Sequence, residues 1–280
     1  MKVRIITDST ADLVPVLKER IATVPLSIVF GDEQYVDGVT IDHTRFYEKL
    51  VESDVLPTTS QPTPAAFAKA YQAAVDAGEE AVVLTVSSEL SGTYQSAMIA
   101  AEDFPGKVYV VDTKSVALGS AILAELALQL ADSGLDAASI AQRLTQEREH
   151  IRLIAMLDTL EYLKRGGRIS KTAAFAGGLL SIKPVIGLQD GKIEILGKAR
   201  GSKQGNNMLV KEIESSGGVD FSKPLLLGYT GMSDVLLRKY IEDSAYIWQE
   251  YKSELPVTIV GSVVGTHAGP GAVAVAFFAK

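Results

Sequence analysis

The chain has 280 residues, 47% apolar and 22% charged, with a net charge of −7. That balance belongs to a globular protein long enough for two ordinary domains. There is no cysteine, which excludes disulfides, thiolate nucleophiles and sulfur-held metals and fits a reducing cytoplasm.

The opening apolar run is too short for a signal peptide. The most apolar later stretch, Val116–Ala131, is broken by Ser120, Glu125 and Gln129 and is short for a span. A cytosolic chain without stable membrane insertion is therefore expected. Its charge is uneven: residues 1–155 carry 12 basic and 22 acidic side chains, residues 156–280 carry 15 and 12. So acidic a chain is not expected to bind nucleic acid. Residues 164–211, with ten basic and two acidic residues, suit either an acidic partner surface or plain solvation.

Val3–Thr7 reads as a first buried strand, ending at the cap-rich Asp8-Ser9-Thr10-Ala11-Asp12-Leu13 turn before a helix over Val14–Arg20. Thr23–Phe30 reads as a second strand. Gln34–Ile41 reads as an extended excursion outside the central sheet, with a helix over His43–Val51 behind it. Pro57–Pro64 is a hydroxyl-rich loop, and Thr63-Pro64 starts a helix over Ala65–Ala77 that Gly78 ends. Thr63 is explained as a cap, whereas Thr59 and Ser60 lie too far upstream to serve that helix.

The apolar run Val82–Val86 predicts a strand buried on both faces of a parallel sheet. It hands over to a helix near Ser91-Gly92, the place where open α/β sheets hold ligands. The N–H groups and positive dipole end of a helix start suit an anion. Gly92 would let one approach the backbone, and the Ser91 hydroxyl would donate to it, although Ser91 equally suits a simple cap. Val108–Asp112 is a further strand, with helices over Gly119–Ser133 and Ala137–His150. This alternation predicts a doubly wound, parallel-sheet α/β/α domain over residues 1–155.

The pattern then changes, and residues 156–280 read as a second α/β domain with a mixed sheet. Its elements are a strand at Arg152–Leu157, a short helix at Leu160–Lys164 and a small-residue helical face at Ala173–Ser181. A hairpin follows at Lys183–Leu188 and Lys192–Ala199, turning at Asp190-Gly191. Helices at Asn206–Ser215 and Ser233–Glu250 alternate with strands at Leu225–Tyr229 and Val257–Val264. The chain ends in a Gly-rich loop carrying His267 and a strand-like apolar tail.

Several catalytic motifs fail. Gly269-Pro-Gly271-Ala-Val-Ala274 has no room after it for a dinucleotide fold, and neither a phosphate-binding Gly-Lys-Ser/Thr loop nor a Gly-x-Ser-x-Gly elbow occurs. The three histidines (His43, His150, His267) are too scattered for paired metal ligands. Thr59, Ser60, Ser91, Gly92 and His267 together would supply many donors but no nucleophile–base pair, a set that suits holding a carboxylate. The competing reading is a serine-dependent lipid ester or thioester hydrolase using Ser91, His267 and a carboxylate such as Asp8.

The ordered segments Asp8–Leu13, Pro57–Gln61, Ser87–Tyr94, Leu163–Ile169, Ile182–Pro184 and Gly265–Gly271 resemble the DegV family, also known as FakB-type fatty-acid-binding proteins. The resemblance covers essentially the whole chain. It implies a two-domain α/β fold, a long-chain fatty acid buried between the domains, and a carrier rather than a catalyst, with no cofactor. By match to the family's motifs, Thr59 and Ser91 would hydrogen-bond the carboxylate, with Ser60, Gly92 N–H, His267 and Arg168 close by. Arg200 would lie on the face that docks a FakA-type fatty-acid kinase, whose acyl phosphate feeds phospholipid synthesis. Ala117 and Ala274 depart from the serine and glycine expected there, which bears on tunnel width.

Overall fold

A computed structural model describes residues 2–170 and 182–280. The expected helical face at Ala173–Ser181 lies outside the described residues. The other elements, in chain order, are β1 (Val3–Asp8), α1 (Pro15–Lys18), β2 (Ala22–Val24), β3 (Ser27–Phe30), β4 (Glu33–Val36), α2 (His43–Glu52) and β5 (Thr58–Ser60). Then come α3 (Pro64–Asp76), β6 (Glu80–Thr85), α4 (Thr93–Ala101), β7 (Val108–Asp112), α5 (Ala117–Asp132), α6 (Ala137–Glu147), β8 (Ile151–Met156) and α7 (Glu161–Arg165). The chain finishes with β9 (Ile182–Gln189), β10 (Lys192–Arg200), α8 (Gly201–Ser215), β11 (Leu226–Tyr229), α9 (Val235–Asp243), β12 (Val257–Ile259), α10 (Ser262–Ala268) and β13 (Val273–Phe278).

Among the described residues these strands form three sheets. The first is parallel, in the order β2-β1-β6-β7. Its strands are covered on both sides, which is why they read as continuous apolar runs. Ile6, Ala81 and Val83 pack on Phe67 and Tyr71 of α3 and on Ala97 of α4. Ile5, Val82 and Leu84 face the other way, into a core built on α5 and α6. The second sheet is mixed, in the order β10-β9-β8-β13-β11-β12, antiparallel except for β11 beside β12. Its Ala155, Ala274, Ala276 and Phe278 join the same α5 core. Helix α5 therefore lies between the two sheets, and Gly228 of β11 leaves room for Leu118, whose Cδ2 would stand 2.9 Å from a Cβ there. Fold class and the split into a parallel and a mixed sheet agree with the expectation from sequence.

Two strand assignments are corrected. The segment Thr23–Phe30 is not one strand but two, in different sheets. Val24 pairs with Asp8 in the parallel sheet, whereas Ser27–Phe30 enters a small antiparallel sheet in the order β4-β3-β5. Pro25 between them has no N–H to give a ladder, and the chain changes sheets there. Val257–Val264 is likewise not all strand: β12 stops at Ile259 and α10 starts after Gly261. The β-branched Val263 and Val264 favour a strand locally, but Val263 is buried among Phe46, Tyr47 and Leu26, and packing overrides propensity. No helix among the described residues is long and apolar enough to cross a membrane.

Candidate functional site

The turn after β6 is held by two acids. Asp8 accepts the Val86 N–H at 2.7 Å through Oδ2, and Asp112 accepts from the Ser88 N–H at 3.2 Å and the Ser88 hydroxyl at 2.6 Å. This brings Ser91 to the start of α4. There its Oγ lies 2.8 Å from Thr93 Oγ1 and accepts the Thr93 N–H at 3.3 Å, so Ser91 does part of a cap's work.

The segment carrying Thr59 is an edge strand, β5, rather than a loop. Its register against β3 sets Thr59 opposite Ile28 and Ser60 opposite Ser27. Alternation then sends neighbouring side chains to opposite faces. Thr59 is half-buried and Ser60 exposed. Thr59 Oγ1 lies 3.0 Å from Nε2 of His267.

His267 is not a loop histidine. It sits in the last turn of α10, which packs against α2, α7, β3 and β5. Two glycines permit that packing. A Cβ at Gly265 would lie 2.9 Å from Phe46 Cε1 and close to the Tyr47 hydroxyl, and one at Gly166 would run into Nδ1 of His267. Burial, reinforced by the nearby Arg168 charge, pushes the His267 pKa down to about 4, so the ring is neutral at pH 7. Its Nδ1 has no hydrogen-bond partner among the described residues.

Arg168 follows the Gly166-Gly167 turn that ends α7. Its Nη1 donates to the Gly166 carbonyl at 2.6 Å and its Nε to the Leu90 carbonyl at 3.2 Å. These bonds fix the guanidinium between the turn carrying Ser91 and the turn facing His267. Burial lowers its pKa, but an arginine remains charged.

Thr59, Ser91, Arg168 and His267 all border one cavity, whose walls are otherwise almost wholly apolar. Its empty volume is about 930 Å³ with the open space at its mouth included. Val86 and Val116 of the parallel-sheet side face Ala155, Leu188, Ile193 and Ala274 of the mixed sheet across it. Ala274 pairs with Ala155, which pairs with Ile186, so two adjacent small residues open the sheet face. Ala117, in the left-handed region at φ 53°, borders the cavity too. The two departures noted in the sequence thus both fall on the cavity wall.

Ser60 and Gly92 are not among the lining residues. Gly92 is exposed, and a Cβ there would run into Oε1 of Gln61, so its missing side chain makes room for that residue. Arg200 ends β10, exposed and away from the cavity, its backbone N–H donating to Gln204 Oε1 at 2.6 Å. The wall formed by Leu153, Ala155, Ile186, Leu188 and Ile193 is legible in the sequence only as strand. The alternation in Ile182–Gln189 was its one local signal. Among the described residues no three His, Asp or Glu side chains converge to hold a metal.

The cavity between the sheets is thus apolar along its walls and is bordered at one place by uncharged donors and one arginine. The family described as "Uncharacterised protein, DegV family" matches residues 2–280, and the chain belongs to the DegV family. A DegV domain-containing protein of Deinococcus radiodurans is 35% identical, the match covering 99% of this chain and 98% of the relative. The structure resembles that of a DegV family protein from Thermus thermophilus described for fatty acid binding, at a TM-score of 0.89 and 32% identity, covering 100% of each chain. It also resembles a stearic acid-binding protein from Eubacterium ventriosum, at a TM-score of 0.86 and 27% identity, covering 99% of this chain and 98% of the other.

Proposed function

We propose that this chain is a fatty-acid-binding protein that buries one long-chain fatty acid between its two lobes, residues 1–155 and 156–280. The carboxylate lies among Thr59, Ser91, His267 and Arg168. The observation that carries the reading is the apolar cavity bordered by those four side chains, supported by the fatty-acid binding of structural relatives at 27–32% identity. Burying about fourteen methylenes at about 0.8 kcal/mol each supplies about 11 kcal/mol, against an association cost of about 4–15 kcal/mol. The tail accordingly supplies most of the affinity, and the donors fix orientation.

The bound acid is presented to a fatty-acid kinase of the FakA type, with Arg200 on the docking face, and the acyl phosphate serves phospholipid synthesis in the cytoplasm. The family resemblance supports this step, and so does the excess of basic residues over 164–211. The hydrolase reading is not favoured, because Ser91 is hydrogen-bonded to Thr93 and His267 to Thr59 rather than to each other.

Denaturing mass spectrometry of the purified chain, followed by titration with palmitic acid, tests the proposal. One fatty acid per chain is expected. The absence of any co-purified fatty acid, together with no uptake of added palmitic acid, would refute it. A chromogenic ester assay with a Ser91→Ala control tests hydrolysis separately.

A further inference from the structure

We propose that Asp12 is a positioning residue for carboxylate recognition, acting through α10 on His267; this rests on the fatty-acid reading above. Asp12 belongs to the turn after β1, on the parallel-sheet lobe, and is 4% exposed. Its Oδ1 accepts the N–H of Gly261 at 2.7 Å. Gly261 is the residue before the first turn of α10, so its N–H is fixed by a side chain 249 positions away in the chain. The glycine is needed there: a Cβ would stand 2.9 Å from Asp12 Oδ1 and 3.4 Å from His43 Nε2.

Helix α10 has seven residues and carries His267 near its far end. At about 1.5 Å of rise per residue, it is a short rod with little room to bend. A displacement at Gly261 therefore reaches the imidazole. The backbone of Asp12 points the same way, because its N–H donates to the carbonyl of Ala117, a residue of the cavity wall, at 3.4 Å. Asp12 thus ties the first lobe both to the cavity wall and to the helix that presents His267. Its second oxygen, Oδ2, is buried and has no hydrogen-bond partner among the described residues.

Asp12→Ala removes the acceptor, Asp12→Asn keeps an oxygen at the same place, and Gly261→Ala presses on the contact from the other side. Each variant is titrated with palmitic acid and with hexadecanol, which shares the tail and lacks the carboxylate. Positioning predicts that Asp12→Ala and Gly261→Ala lower the preference for acid over alcohol by about tenfold, the scale of one hydrogen bond to a charged group, while hexadecanol binding holds. Asp12→Asn restores the preference. In the first two variants the His267 pKa, read by NMR, moves up from about 4 towards its ordinary value. An unchanged preference in both, or equal loss of acid and alcohol, overturns the proposal, and Gly261→Ala decides it alone if Asp12→Ala does not fold. A native chain that binds palmitic acid no better than hexadecanol overturns the carboxylate reading instead, a result visible before any variant is made.

Discussion

Thr59 Oγ1 and His267 Nε2 lie 3.0 Å apart although 208 residues separate them in the chain. One belongs to the edge of a three-stranded sheet, the other to a helix inserted between β12 and β13. Thr59 and His267 both border the cavity, so its polar end exists only where these two distant segments of the chain meet. Burial keeps the imidazole neutral, which leaves Arg168 as the fixed positive charge of the site.

That state has a pH signature. The folded pKa of His267 is about 4 against an ordinary 6.5. Between those values the unfolded chain takes up a proton that the folded chain refuses, so this residue's contribution to stability is full above pH 6.5 and is lost as pH falls towards 4. His43, also pushed down to about 4 by burial, acts in the same direction. Buried Asp8 and Asp37, raised by burial, act in the opposite one. The His267 share is isolated by comparing denaturant midpoints with His267→Gln, and the native chain should lose ground relative to the variant from pH 6.5 to 4. A bound carboxylate favours the imidazolium, so the NMR pKa of His267 should rise on loading with palmitic acid. A pKa that stays at its ligand-free value would separate the histidine from the head group.

Removing the hydroxyls tests the donors. Neither Thr59 nor Ser91 is fully buried, so Thr59→Ala and Ser91→Ala should leave the fold intact. Each hydrogen bond to a charged acceptor is worth about 1.5–3 kcal/mol. The double variant should lose at least tenfold in affinity for palmitic acid by isothermal titration, with hexadecanol binding reduced far less. Full retention of affinity would assign the carboxylate elsewhere.

Much of this was legible in the sequence because local chemistry and tertiary environment agree. Val82–Val86 reads as a two-face buried strand since helices do cover both faces. Asp190-Gly191 turns the β9–β10 hairpin with both residues at positive φ, 50° and 82°, as such a dipeptide should. Legibility failed where packing decides. Nothing local makes Val263-Val264 helical; the aromatic rings of α2 do. Nothing local shows that Ser60 faces away while Thr59 faces in, because that depends on pairing with β3. Gly92 illustrates a different failure: the sequence shows that a side chain is missing, but not that Gln61 takes its place.

Ala274 offers a test of the tail. It is 8% exposed, borders the cavity and lies beside Ala155 on the neighbouring strand. Ala274→Leu adds three carbons to the wall in space that is open in the folded chain, so its cost in thermal stability should be small. At about 0.8 kcal/mol per buried methylene, displacing two or three of them weakens palmitic acid by about ten- to sixtyfold. Lauric acid, with a tail four carbons shorter, should be affected much less. Equal weakening of both acids would mean that this wall does not meet the end of the chain.

Arg168 separates charge from geometry. Its guanidinium donates to two carbonyls, Gly166 and Leu90, on the two turns that bring His267 and Ser91 together. It also depresses the His267 pKa, so its positive field reaches the place where a carboxylate would sit. Arg168→Lys keeps the charge but not the planar fork that holds both carbonyls. Arg168→Met keeps much of the length and removes the charge. If the residue acts mainly by charge, Arg168→Lys retains most of the affinity for palmitic acid and Arg168→Met loses it, with the loss shrinking in high salt as screening replaces the missing contrast. If it acts mainly as a brace, both variants lose affinity alike, and hexadecanol weakens along with the acid. The half-buried position and short bond to the Gly166 carbonyl favour a mixed outcome with a definite order: Arg168→Met weakest, Arg168→Lys intermediate, the native chain tightest. The reverse order between the two variants would remove Arg168 from the head-group site.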